Sequence, residues 1–181
     1  MSENKINLRR VGIFSTQSEQ TLYDSLKEWF IPHGIEMSRL EEGVKSRDSL
    51  DLVISFGGDG TVLAALSLFP QCPVLAVNFG NVGFLTAGDR EELAEMLQSV
   101  LDGNYIISER SVLECVNPHG TDYAVNEIVI RGATRLIAVE LSINDQDIRS
   151  VRGDGVIVGT ATGSTAYLLA AGSPIVMPEL R

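Results

Sequence analysis

Leu52-Val53-Ile54-Ser55-Phe56-Gly57-Gly58-Asp59-Gly60-Thr61 is an apolar strand pattern that runs into a glycine turn, and Val62 to Phe69 leads out of it as an apolar helix pattern. Three glycines and one carboxylate therefore sit at a strand-to-helix turn. Glycine at 57, 58 and 60 lets the backbone approach a ligand closely and turn with φ > 0. Consecutive N–H groups at a helix start can then cradle phosphate oxygens. The plainer reading is a tight turn with Asp59 or Thr61 as the N-cap. The spacing is neither the P-loop, since no Gly-Lys-Ser/Thr occurs, nor the dinucleotide fingerprint, since Leu63 stands at the third glycine's place. Asp59 between glycines is sterically open, which suits a base or a metal ligand.

The residues before and after this stretch repeat its rhythm. Val11 to Ser15 reads as a strand, and Glu19 to Phe30 as a helix with Leu22, Leu26 and Phe30 on one face, stopped by Pro32 and Gly34. Ile35 to Asp48 reads as an edge strand and a loop. Val74 to Val77 is a third buried strand and runs into a second glycine turn, Asn78-Phe79-Gly80-Asn81-Val82-Gly83-Phe84. Asp89 and Glu92 fit a capping box. The apolar spacing of Leu93, Met96, Leu97, Val100 and Leu101 then gives a helix, ended by Gly103-Asn104. Strand alternating with helix predicts a mostly parallel sheet with crossover helices, and ligands in such sheets sit beyond the carboxyl ends of the strands.

After Gly103 the pattern becomes β-rich. Tyr105–Val116 and Tyr123–Ile130 read as strands, and Val139, Leu141 and Ile143 alternate with polar residues as a half-buried strand does. Asn144-Asp145 reads as a turn with Ile148 to Arg152 returning, and Val156 to Val158 as a buried strand. Thr160 to Tyr167 is a Gly/Ser/Thr turn opening a short helix to Ala171. The expected domains are therefore 1–102, α/β, and 103–181, β-rich.

The 181 residues carry 14 basic and 24 acidic side chains, a net charge of −10, which argues against a nucleic-acid or anionic-membrane surface. No run approaches a membrane span, and Met1 to Arg10 lacks the apolar centre of a signal peptide, so a cytoplasmic protein is expected. Cys72 and Cys115 give no disulfide framework, and His33 and His119 no metal-ligand spacing. No residue is assigned as a metal ligand.

Other groups carry chemistry. Asn126-Glu127 lies inside an apolar run, either as a solvent face of an edge strand or as a pair that holds sugar hydroxyls. Asp154 in Gly153-Asp154-Gly155 has the form of a turn residue. Thr160, Thr162, Ser164, Thr165 and Tyr167, with Ser173 further on, are more hydroxyls than one helix cap explains.

Together these motifs resemble the bacterial NAD kinase family. Gly57 to Thr61, Asn78 to Thr86, Val125-Asn126-Glu127, and Arg152 to Gly155 with Thr162 to Val176 match its signatures in order. The first alone is shared with diacylglycerol and sphingosine kinases, and the later ones select NAD kinase. The resemblance implies an α/β N-terminal domain, a sandwich-like C-terminal domain and a site between them. It implies transfer of the γ-phosphate of ATP to the 2′-hydroxyl of the adenosine ribose of NAD, with Mg²⁺ or another divalent cation, in dimers or tetramers. By position, Asp59 would be the base, and Gly57, Gly58, Gly60 and Thr61 would face phosphates. Asn78, Gly80 and Phe84 of the second turn would belong to the binding site. Asn126 and Glu127 would bind ribose hydroxyls, Asp154 would meet the nicotinamide end, and Thr162, Ser164, Thr165, Ala166 and Tyr167 would line the NAD pocket.

Ala161 stands where the family usually has proline, and Ser173 where it has glycine. Family members continue well past Pro174-Ile175-Val176, so the β-rich domain is expected to be incomplete here. A lipid or sphingoid kinase sharing the glycine signature, and a non-catalytic NAD(P)-binding module, are the competing readings.

Overall fold

The computed structural model describes residues 6–15, 20–41, 49–80 and 83–180. The expected helix start at Glu19, the loop end at Asp48, and Asn81-Val82 of the second glycine turn lie outside the described residues. The chain divides into two compact units, the first ending at Ser108 and the second beginning at Glu109.

The first unit is built on a parallel sheet. Its strands are β1 (Arg10–Ser15), β2 (Glu36–Leu40), β3 (Leu52–Phe56), β4 (Val74–Asn78) and the two-residue β5 (Gly88–Asp89), in the order β2-β1-β3-β4-β5. Every pairing among them is parallel. The helices are α1 (Gln20–Phe30), α2 (Asp59–Leu68) and α3 (Leu93–Asp102).

β3 is buried at every position, as an unbroken apolar run in the middle of a parallel sheet requires. Its alternating side chains serve two cores. Leu52, Ile54 and Phe56 pack with Leu22, Leu26 and Phe30 of α1 and Leu97 and Val100 of α3. Val53 packs on the opposite face with Phe14, Leu40, Phe69 and Ala65 of α2. Helices thus cover both faces, and α2 covers the side toward which Ser55 also alternates.

The boundary signals act as their chemistry dictates. α1 gives way to a 3-10 turn, Ile31–His33, with Pro32 inside it and Gly34 closing it at φ 66°. The Asp89/Glu92 capping box is present, with the Asp89 N–H donating to Glu92 Oε2 at 2.9 Å, but it caps a 3-10 turn, Arg90–Glu92, that feeds α3. β5 has no sequence signature, because two residues cannot show a period.

In the second unit the strands pair two by two and antiparallel. β6 (Leu113–Asn117) pairs with β7 (Gly120–Ala124), β8 (Glu127–Arg131) with β11 (Gly155–Gly159), and β9 (Ile137–Ile143) with β10 (Gln146–Gly153). Asn144 and Asp145, both at positive φ (50° and 61°), make the tight β9–β10 turn. A 3-10 turn, Thr162–Thr165, precedes the short α4 (Tyr167–Ala170).

Two strand expectations are corrected. Tyr105 to Val112 carries no ladder, and pairing begins only at Leu113. Tyr123–Ile130 is not one strand, because Val125 and Asn126 give their carbonyls to Thr160 instead of a neighbouring strand. Among the described residues Val125 is the buried hydrophobic residue of this unit, whereas Ile130, Ile143 and Ile148 are exposed. The expected burial of Val156 to Val158 is also corrected: they form a strand, but Val156 and Ile157 are only partly buried and Val158 is exposed.

Candidate functional site

The chain leaves β1 toward β2 on one side and returns to β3 on the other, so the strand order reverses between β1 and β3. Their carboxyl ends meet where Ser15 pairs with Phe56. That crevice is where open parallel sheets bind ligands, and Gly57 to Thr61 begins there.

Gly57 keeps one sheet contact, donating to the Val77 carbonyl at 3.0 Å, and then turns the chain at φ +152°. A Cβ on it would lie 2.3 Å from Thr61 Oγ1, so only glycine fits. The N-cap is Gly58, in an extended conformation and without a side-chain cap bond. Neither Asp59 nor Thr61 caps the helix, which corrects the plainer reading of the turn: Asp59 is the first residue of α2, and Thr61 is buried. Gly58 and Gly60 are exposed, and a Cβ on either would meet nothing within 4 Å. The outer side of the turn is therefore open where the first amides of a helix need partners.

Asp59 Oδ2 accepts the Phe84 N–H and Oδ1 the Leu85 N–H, each at 3.0 Å. The carboxylate thus ties the first glycine turn to the second. Gly83 lies directly against it, since a Cβ there would be 2.2 Å from Asp59 Oδ1. The Phe84 side chain, by contrast, is 99% exposed. Asn78 is buried at the end of β4 and donates through Nδ2 to the Gly80 carbonyl at 2.7 Å and to Asp89 Oδ1 at 3.1 Å. It fixes the start of the second turn. Ser55 is fully buried one residue before Phe56, and its hydroxyl has no partner among the described residues.

The other predicted residues gather in the second unit. The Asn126 carbonyl accepts the Thr160 N–H at 2.9 Å, and Glu127 pairs with Gly159 across β8–β11. Thr160 Oγ1 donates to the Val125 carbonyl and accepts the Gly163 N–H. Glu127 Oε2 and Thr162 Oγ1 are both buried without a hydrogen-bond partner among the described residues. Such atoms cost about 1–3 kcal/mol each when left unpaired, which a ligand hydroxyl or amide can relieve. Ser164 is buried, and its hydroxyl is committed to the backbone. It lies 2.7 Å from the Ala161 carbonyl and accepts the Val176 N–H at 2.9 Å. Thr165 and Tyr167 are exposed, Ala166 is half-buried and ends the 3-10 turn, and Asp154 is exposed, its carbonyl taking the Gly132 N–H.

Gly83 and Leu85 lie in the Asn78 to Thr86 motif, but the sequence assigns neither a role of its own. Gly83 reads as an ordinary turn glycine until the carboxylate against it is seen, and Leu85 contributes only an amide.

Among the described residues no group of three or more His, Cys, Asp or Glu is placed to hold an ion. A Mg²⁺ at the glycine turn would draw its ligands from phosphates and water with at most the Asp59 carboxylate, a donor set that Mg²⁺ accepts. A cavity of about 590 Å³, lined by residues such as Leu8, His33, Ile35 and Leu101, opens at the amino ends of β1 and β2, away from the turns.

Comparison with known proteins shows the family to which this chain is similar. The ATP-NAD kinase N-terminal domain model matches residues 14–105, and the C-terminal domain model matches residues 125–181. The chain belongs to the ATP-NAD kinase family. It is 37% identical to the NAD kinase of Methanothermobacter thermautotrophicus over 77% of its own length and 50% of the relative's. With an NAD kinase of Clostridium perfringens it shares 39% identity over 86% of its length and 60% of the relative's. Yeast NADH kinase, solved with NADH, superposes with a TM-score of 0.75 at 25% identity, over 98% of this chain and 61% of that one. Archaeoglobus fulgidus NAD kinase, solved with ATP, gives 0.72 at 28% identity, over 94% and 68%. The chain spans 50–61% of the length of the first curated relatives. Among the described residues no helix is long and apolar enough to cross a membrane.

Proposed function

We propose that this chain carries the phosphotransfer centre of an NAD kinase, which moves the γ-phosphoryl group of ATP to the 2′-hydroxyl of the adenosine ribose of NAD. The observation that carries the reading is Asp59. A carboxylate stands at the first position of α2, on an open glycine turn at the sheet's reversal point, with both oxygens oriented by backbone amides. In this reading Asp59 takes the ribose hydroxyl's proton as that oxygen bonds to the γ-phosphorus and ADP departs. Gly57, Gly58, Gly60 and Thr61 shape the phosphate cradle, and the α2 amino terminus favours the negative charge. Mg²⁺ bound with the nucleotide supplies charge neutralisation at the phosphates.

Residues 1–102 are assigned to the ATP side and 103–181 to the NAD side. Asn126 and Glu127 take ribose hydroxyls, and the unpaired Glu127 Oε2 supports this assignment. Asp154 and the 162–167 turn are assigned to the nicotinamide end and the pocket wall, with Ser164 serving through the backbone it holds. Asn78, Gly80 and Phe84 complete the binding set, Phe84 through its free ring. A cytoplasmic homo-oligomer is part of the same proposal. The kinase names carried by the relatives disfavour the lipid-kinase reading. The test is NADP formation by the purified chain from NAD, ATP and Mg²⁺. Tight NAD binding by calorimetry without any NADP would instead make it a binding module.

A further inference from the structure

Asp59 spends its hydrogen bonds in an unusual direction. A carboxylate in the first turn of a helix ordinarily bonds that helix's own unpaired amides. Here α2 has no side-chain cap bond, and both carboxylate oxygens bond a loop 25 and 26 residues further along. The arrangement has two physical results. The first amides of α2 are not consumed by their own aspartate. The carboxylate is also gripped at both oxygens, so rotating it breaks a bond on either side. An ionised carboxylate offers about four acceptor sites; two are taken, and the rest stay available to a hydroxyl. The grip comes from backbone alone, because the Phe84 side chain is fully exposed. It also depends on the hydrogen of Gly83, since a methyl there would lie 2.2 Å from Oδ1 and 2.8 Å from Cγ of Asp59.

We propose that Gly83, Phe84 and Leu85 form a seat that positions the Asp59 carboxylate, and that Asp59 in return holds this loop against α2. Gly83 is the positioning residue, acting through the space it leaves. The proposal deepens the kinase reading, in which Asp59 is the base. A preoriented base lowers the cost of reaching the reactive geometry, so disturbing the seat lowers kcat more than it raises KM.

The test is hydrogen–deuterium exchange at the Phe84 and Leu85 amides of the whole chain, with steady-state kinetics alongside. Asp59→Ala is expected to speed exchange at both amides by about tenfold or more, as loss of a charged acceptor predicts. Phe84→Ala is expected to leave exchange slow, because the backbone donor remains. Gly83→Ala should speed exchange at both amides and cut kcat by about tenfold, with KM for ATP within about twofold. In the Asp59→Ala background, Gly83→Ala should add nothing to exchange, since both act on one contact. Equal exchange in the parent and Asp59→Ala chains overturns the seat, and so does an additive double variant. If Gly83→Ala fails to fold, the Asp59→Ala and Phe84→Ala comparison still decides. Absence of turnover in the parent chain overturns the kinase reading alone, because exchange is read without substrate.

Discussion

The Thr160 hydroxyl donates to the carbonyl of Val125, 35 residues earlier in the chain, while accepting the Gly163 N–H at 3.0 Å. One oxygen thus satisfies a buried carbonyl and a buried amide, and joins the break between β7 and β8 to the 162–165 turn. Thr160→Val keeps the shape and loses both bonds. It is expected to cost about 1–3 kcal/mol, the penalty for unpaired buried backbone groups. Thr160→Ser, which keeps the hydroxyl, should cost less. Urea midpoints of the two variants check the order, and equal midpoints would refute it.

Asp59→Asn leaves one acceptor oxygen but turns an NH₂ group toward the second loop amide and removes the proton acceptor. NADP formation should fall by about 10²–10⁴-fold, the range for losing a general base. NAD binding, measured by calorimetry, should persist. Undiminished turnover would remove Asp59 from the role of base.

Gly57 and its neighbours separate folding from binding. Gly57→Ala meets both φ +152° and the Thr61 side chain at 2.3 Å. It should destabilise the chain by about 1–3 kcal/mol, read from the unfolding midpoint. Gly58→Ala and Gly60→Ala meet no protein atom within 4 Å. They should shift the midpoint by only about 0.5–1 kcal/mol, while a methyl on the open side of the turn weakens ATP binding. An unchanged ATP affinity in both variants would take the phosphates elsewhere.

Burial pushes the Cys72 thiol from 9.0 up to about 11, with the Asp51 charge adding to the shift. The neutral thiol is the form that the folded chain favours. Its stabilising contribution is complete below pH 9, where the unfolded thiol begins to ionise, and is lost as pH climbs to about 11. At pH 8, labelling of Cys72 by a thiol reagent should therefore track unfolding of the chain, because the thiolate is the nucleophile. Rapid labelling of Cys72 in the folded protein would contradict this.

The first unit was legible because its signals are local and redundant. Leu22, Leu26 and Phe30 declare one helical face, and Leu52 to Phe56 is an unbroken strand fully buried in the structure. Gly103 ends α3 at φ 80°, in the conformation a closing glycine supplies. The second unit was less legible. Tyr123 to Ile130 has the composition of one strand, and only the distant Thr160 breaks it. At the candidate site, Asp59 and its glycines stood out because few folds need that combination. The Gly83–Leu85 seat did not, because backbone amides leave no trace in residue type and Gly83 has the form of any turn glycine.

Val125 carries a thermal consequence. Among the described residues it is the buried hydrophobic of the second unit, and all others belong to the first. Newly hydrated apolar surface raises heat capacity by about 0.45 cal/K/mol per Å², while polar surface lowers it. The heat-capacity step on melting is therefore generated chiefly by the sheet and helices before Ser108. That half has the larger share in how sharply stability bends with temperature.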